Sequence, residues 1–511
     1  MQGKKHYTEK LFTSFQLSDR IPQDNFYRRL KSLLDIQWLY KCTSSYYGTE
    51  GQKSIDPVVF FKLMLIGYLE NLGSDRRIIT TVSMRLDMLY FLGYDIDEEL
   101  PWHSTLSRTR QLYGEDLFKA LFKDVLKQCI EKGMVAGRRQ AMDSAPVKAN
   151  ASMDSLKAKE ILEDGSVYLE ELKREEEENN DMDDTRNNAA NNSTVSVERN
   201  RAVQSHHKWK EKAYKGMPGG DSKGRAKFVS NHTHYSTTDP DARVSVKPGK
   251  PRQLNYLAQV SVDAAHHVIT QVQADHADKK DSQCLPALLT NTINNLREQG
   301  VEIEEVYADA GYSSGEALRA LEENNITGYI PNFGQYKPSR EGFTYDREND
   351  RYSCSRGVHL PFKKLTTTSL GYKMKVYRSS AKDCGPCPLR SVCIGKSDFK
   401  KIDDSIDKPY YDRMHARLEN VNREKTRKLR SSTVEPVLGT LVNYLAMRKV
   451  NTRGIKGANK CMLMAAAAYN LKKLLHWQDQ KRKTAAMALK KGGKILYALF
   501  FQLSPSIQQY T

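Results

Sequence analysis

The sequence predicts an α/β fold, a mixed sheet with flanking helices, preceded by an all-α N-terminal region and interrupted by a small cysteine-rich insertion. Three observations carry that reading. Residues 1–135 repeat apolar side chains at three- and four-residue spacing, the period of helices with one buried face. After residue 250, extended runs alternate with helical ones, the succession that lays helices on a sheet. Across residues 331–400 the alternation stops, and cysteine, glycine and aromatic residues take over.

In the first region, DNFYRRLKSLLDIQWLY, DPVVFFKLMLIGYLENLG and EDLFKALFKDVLKQCIEKG read as helices, punctuated by Asp56-Pro57 and Pro101. WHSTLSRTRQLYG reads as a basic helix with Ser104 or Thr105 at its N-cap. GRRQAMDSAPVKANA then turns extended. Residues 155–235 form a polar insertion, acidic at LEELKREEEENNDMDD and flexible at its centre. NYLAQVSVD and HHVITQVQADHA alternate as a hairpin about Asp263-Ala264-Ala265. A helix (LPALLTNTINNLREQG), a strand (VEIEEVYAD), a helix (SGEALRALEENN) and a short strand (ITGYIP) follow, and from about Asp407 the chain reads as helical.

The chain has 511 residues and a formal net charge of +18. Residues 421–500 carry 18 Lys and Arg against three acids, Glu424, Glu435 and Asp479. A basic run so long and one-sided points to a polyanion partner, because Lys and Arg contacts to phosphate supply most non-specific nucleic-acid affinity. No apolar run approaches the roughly 20 residues of a membrane helix, and the N-terminus lacks the apolar core of a secretory signal, so a cytoplasmic, nucleoid-associated protein is expected.

Three carboxylates occupy distinctive addresses. Asp143 ends an extended run and is followed by the small residues Ser144 and Ala145. Asp309 ends a strand and precedes a glycine turn, where α/β sheets place their chemistry. Glu435 stands in a basic helical segment before Pro436, which places the helix start near Thr433 or a kink there. Each acid alone has an ordinary structural reading, a turn cap for the aspartates and a helix start for the glutamate.

Together AMDSAPVKANA, STTDPDAR with NYLAQVSVDAAHHVIT, ADAGYSS and TVEPVLGTL resemble the DDE transposases of bacterial insertion sequences, from the helical head through residue 475. The resemblance implies an RNase H-like catalytic core in which Asp143, Asp309 and Glu435 form the catalytic triad and hold two Mg²⁺ (or Mn²⁺) ions. Hard divalent ions prefer carboxylate oxygens, and a pair about 4 Å apart activates the attacking oxygen and stabilises the leaving one. DNA, as terminal inverted repeats and target, is the implied partner, and a homodimer is expected because two ends are processed together. Related transposases often carry Tyr and Arg in the two turns before the Glu and Lys two turns after it. Here Lys428, Ser431 and Val442 stand there, so Arg427, Lys428, Arg430, Arg448 and Lys449 are the expected DNA contacts. A non-catalytic end-binding protein and a nuclease without strand joining are the alternatives.

Cys354, Cys384, Cys387 and Cys393, with one CxxC among them, suit a tetrahedral structural Zn²⁺. Cys42, Cys129, Cys284 and Cys461 read as buried thiols. His232, His234 and the adjacent pair His266-His267 read as structural, since neighbours on a strand point to opposite faces. The expected domains are a helical DNA-binding and dimerisation head (1–135), a first part of the RNase H-like core with the polar insertion 155–235 (136–330), a cysteine-rich insertion with the zinc site (331–400), a helical core end with Glu435 (401–480) and a basic tail (481–511).

Overall fold

The computed structural model describes residues 5, 14–48, 54–159, 231, 233–245, 252–332, 336, 339–368 and 371–502, with side chains to 481. The expected acidic stretch and most of the polar insertion lie outside these residues.

Eight helices open the chain: α1 (Leu17–Arg20), α2 (Phe26–Leu33), α3 (Trp38–Thr43), α4 (Pro57–Leu69), α5 (Asp75–Ser83), α6 (Leu86–Leu92), α7 (His103–Leu112) and α8 (Glu115–Glu131). The Asp56 carboxylate accepts from the amides of Val58 and Val59 and, with Pro57 in the first turn, starts α4. Nearly all of α4 is buried, so it is the axis of the head. Neither Ser104 nor Thr105 caps α7. Trp102 is extended after Pro101, and the helix begins at His103 without a side-chain cap.

The main sheet comprises β1 (Arg139–Lys148), β4 (Arg243–Ser245), β5 (Gln253–Asp263), β6 (Ile269–His276), β7 (Glu305–Tyr307) and β8 (Thr327–Tyr329); β2 (Leu156–Ala158) pairs with β3 (His234–Ser236) beside it. The order is β4-β5-β1-β7-β8, with β6 also on β5. β1 is antiparallel to β5 and parallel to β7. Helices α9 (Asp281–Arg297) and α10 (Gly315–Glu323) connect the later strands. Buried Asp263 ends β5 and accepts from the amides of Gly137 and Ala265 and from the Gln140 side chain, which anchors the entry into β1. The β5–β6 turn is longer than the hairpin expected, because His267 takes a left-handed φ of 57° and β6 starts only at Ile269.

Residues 343–405 form a second, antiparallel sheet, ordered β13-β12-β11-β10-β9: β9 (Phe343–Asp346), β10 (Arg351–Cys354), β11 (His359–Thr367), β12 (Lys373–Arg378) and β13 (Lys401–Ser405). The short helices α11 (Ala381–Cys384) and α12 (Arg390–Cys393) lie between its last two strands. Its small core is Tyr352, Leu360, Tyr377 and Ile402. Phenols tie it further: Tyr345 and Tyr377 both donate to Asp350, at 2.7 and 2.6 Å, and Tyr352 donates to Asp404.

Helices α13 (Lys408–Glu419), α14 (Arg423–Tyr444) and α15 (Ile455–Gln502) complete the chain. The helix start expected near Thr433 is absent: α14 runs through Pro436, started instead by the Asn422 side chain fourteen positions before the proline, roughly four turns. Thr433, Val434, Val437, Leu438 and Leu441 bury one face of α14 and carry the proline within a packed helix.

α15 covers the outer edge of β6. Asn470 accepts from the amide of Ile269 and donates to its carbonyl, both at 2.9 Å, and Asn459 accepts from the amide of Ala274 at 2.9 Å. The spacings match: eleven helical residues and five strand residues each span about 16–17 Å. One continuous apolar core contains side chains of α2, α4, α6, α8, β1, β5, β6, α14 and α15, so head and sheet are packed as one body. Among the described residues no helix is long and apolar enough to cross a membrane.

Candidate active site

Asp143 lies in the middle of β1 rather than at the end of an extended run, paired with Val260 of β5. β7 flanks β1 only from Arg139 to Ala141, so beyond Ala141 that side of β1 opens toward the end of β7. Asp309 stands there, two residues after β7, its carboxylate accepting from the Gly311 amide at 2.9 Å. Glu435 comes from α14, which packs on β1 and β5. It lies deep within the helix and not at its start, so the helix-start reading is replaced.

Arg430 joins two of the acids. Its guanidinium donates to Asp143 at 2.6 Å and to Glu435 at 3.0 Å. Asp143 and Arg430 are mostly covered, at 17% and 16% side-chain exposure, while Glu435 is open at 55%. Burial pushes the Asp143 carboxyl above its ordinary value; the Ser144 amide and Arg430 pull it down, and the neighbouring charge of Asp309 raises it further. Arg430 was an expected DNA contact; in this arrangement it is engaged with carboxylates.

Arg423, Thr426, Arg427 and Arg430 share one face of α14 and, with Asp309, Tyr329, Tyr336 and His415, line a cavity of about 550 Å³. Lys428 is exposed on another part of the helix. Arg448 and Lys449, also exposed, follow the end of α14, away from this cavity.

A fourth acid went unnoticed in the sequence. Asp281, the first residue of α9, faces Asp309 across Gly311: a Cβ at Gly311 would stand 3.0 Å from Asp309 Oδ1 and 3.4 Å from Asp281 Oδ2. The Gln259 amide donates to Asp281 at 2.9 Å, and the buried Tyr312 hydroxyl donates to Gln259. Burial drives the Tyr312 hydroxyl well above its ordinary value, and Asp281, Asp143 and Asp309 all add to the rise. The only local signal was the glycine after ADA, which a turn explains equally well.

Among the described residues no three His, Cys, Asp or Glu side chains are gathered closely enough to hold a metal ion. In the insertion, where zinc was expected, Cys354 lies on β10, Cys384, Cys387 and Cys393 lie around α11 and α12, and Cys384 faces the Ser379 hydroxyl at 3.0 Å. Phenol–carboxylate bonds and the four-residue core help to hold the sheet. The acids differ from the thiols in one respect, because a cation, the guanidinium of Arg430, already bridges two of them. An oxygen-only donor set that grips a cation suits a hard divalent ion.

Among the remaining groups, Cys129, Cys284 and Cys461 are buried as expected, but Cys42 is exposed. His266 packs on Trp477, with ring centroids 4.3 Å apart, and His267 occupies the turn. His234 lies on β3, and His232 falls outside the described residues.

Two families match the chain: one described as Transposase domain (DUF772), over residues 15–112, and one described as Transposase DDE domain, over residues 353–475. No curated protein matches it. The first range covers the helices α1 to α7; the second contains Glu435, while Asp143 and Asp309 lie outside both. Both matches are to transposase domains and fall in order along one chain, which supports a DDE transposase of an insertion sequence.

Proposed function

We propose that this transposase cuts DNA at the ends of an insertion sequence and joins the freed 3′-OH ends to target DNA, with Asp143, Asp309 and Glu435 as its catalytic acids. The observation that carries the reading is the Arg430 guanidinium held between Asp143 and Glu435, beside Asp309. It marks a point where acids from β1 and α14 already share a cation. The strand order, three antiparallel strands continued by two parallel ones, supports an RNase H-like core.

Bound Mg²⁺ or Mn²⁺ would supply Lewis-acid stabilisation of charge on the attacking and leaving oxygens. The chain's own residues do the rest. Asp143, fixed in a strand, and Glu435, on a packed helix, orient their carboxylates from rigid elements. Arg423 and Arg427 offer guanidinium groups to the phosphates beside the cavity. In cleavage, a water oxygen bonds to phosphorus, the bond to the 3′ oxygen breaks, and a 3′-OH and a 5′-phosphate result. In joining, that 3′-OH loses its proton and bonds to a target phosphorus, releasing a target 3′-OH. Two copies of the chain acting on two ends would pair the events.

The test uses labelled DNA containing the flanks of the gene, with Mg²⁺. Asp143→Asn, Asp309→Asn and Glu435→Gln should each lower cleavage by about a thousandfold or more, the loss expected of a group acting in the transition state, with duplex binding retained. Undiminished cleavage in any of them removes that acid from the site. Binding without cutting by the unaltered protein would instead indicate a non-catalytic end-binding protein, and cutting without joined products a nuclease.

A further inference from the structure

A second cavity, of about 790 Å³, opens where the helical head meets the core. We infer that this groove grips the DNA backbone about four or five base pairs from the point of cutting. The inference rests on the proposal that the three acids cut DNA.

The groove is built for anions from two sides. From the head come the starts of α5 and α7, with Ser74 and Arg76 on one and His103 and Ser104 on the other. Neither helix start is closed by a side-chain cap, so each presents the partially positive end of its helix dipole to the groove. From the core come Arg448 and Lys449. Arg76, Arg448 and Lys449 are all exposed, and among the described residues none of them has an ion-pair partner. The one carboxylate in the lining, Asp75, is neutralised by buried Arg110 at 2.5 Å. Cations from two separate parts of the chain thus converge with two helix starts, and nothing in the lining offsets them.

Two elements measure the distance to the acids. Lys148, at the far end of β1, pairs with Lys449 and donates its amide to the Arg448 carbonyl at 3.2 Å. Five residues of strand separate it from Asp143, about 16–17 Å. α14 runs the same way from Glu435 to Tyr444, nine residues and about 13–14 Å, just before Arg448. At 3.4 Å per base pair, either path corresponds to about four or five steps of B-DNA. A duplex cut at the acids therefore brings a backbone to the groove within half a helical turn. The head itself fixes the groove's outer wall: Asn71 donates to the Asn443 carbonyl at 3.2 Å and accepts from the Ala446 amide at 2.8 Å.

The experiment measures the salt dependence of affinity for a mixed-sequence duplex of about 40 base pairs, using the full chain. Each lost phosphate contact lowers the slope of log affinity against log salt by about 0.9, so replacing Arg76, Arg448 and Lys449 by Gln should lower it by up to about 3. Replacing Lys119, Lys123 and Lys127 of α8 by Gln removes the same charge elsewhere and should leave the slope near that of the unaltered protein. A benzophenone amino acid at Ser107, in the groove lining, should crosslink the duplex, and one at Lys127 should not. An unchanged slope in the first variant, an equal fall in the control, or crosslinking only at Lys127 overturns the groove. If the unaltered protein binds no duplex, the proposal that the three acids cut DNA falls with it; if it binds and only the groove variant is silent, that proposal stands.

Discussion

Arg430 stands at the point where two of the three acids meet, and its replacement separates two effects. Without divalent ions, Arg430→Gln leaves Asp143 buried beside Asp309 with no counter-charge, so thermal stability should fall. A guanidinium that occupies the cation position also competes with any metal drawn there. The same variant should therefore bind Mn²⁺ several-fold more tightly, by about 1 kcal/mol or less, read by the loss of the free-ion EPR signal. Weaker Mn²⁺ binding would show that Arg430 organises the acids instead of competing for them. A different residue sets a pH response in the head. Arg85 donates two bonds to Asp87, at 2.9 and 2.7 Å, which holds that carboxyl below its ordinary value, while burial opposes the shift and Asn25 adds to it. A depressed carboxyl stabilises the fold above its unfolded value and loses that contribution as pH falls through the folded one. Asp87→Asn should cost about 1 kcal/mol at pH 7, discounted for the partial exposure of Arg85, and the gap from the unaltered protein should close below about pH 4 in thermal melts. The proposed acids Asp143, Asp309 and Glu435 stand out in the sequence because each sits in a recognisable local pattern. Asp281 was not, since what makes it notable is Gly311 across a loop 30 residues later, and spacing along the chain carries no trace of that contact.

At the level of elements, periodicity revealed most helices and the β5–β6 pairing, since both follow from which faces are buried. It misread two places where packing overrides local preference. Pro436 suggested a helix start, but the apolar face from Thr433 to Leu441 holds α14 together across it. Residues 331–400 looked irregular because the sheet they form is polar on much of its surface and draws its small core from tyrosines. The hydroxyls of Tyr345, Tyr352 and Tyr377 supply cross-links in that sheet, which cysteine spacing does not reveal. The contact between α15 and β6 makes its own prediction. Asn470 is fully buried and satisfies both backbone groups of Ile269, so Asn470→Ala should lose about 2–3 kcal/mol in denaturant unfolding, the cost of stranding buried polar groups. Asn470→Asp, which keeps only the acceptor, should not restore it. A loss below about 0.5 kcal/mol would mean that water replaces the side chain at that edge.

For the molecule as a whole, the helical head and the sheet share one apolar interior, joined by α15 and by buried Lys460, whose ammonium donates to the carbonyls of Arg110 and Tyr113. That joint keeps the groove at a fixed distance from the acids. It also governs how copies of the chain can associate. The β6 border of the main sheet has backbone groups of Ile269 and Ala274 taken by asparagines, and at the opposite border the Gly328 carbonyl of β8 accepts from Arg417 at 2.9 Å. A neighbouring strand would have to evict these side chains before it could template on either border. Copies of the chain brought together would therefore not associate by extending the main sheet at these borders, and crowding them should not lengthen that sheet into a polymer.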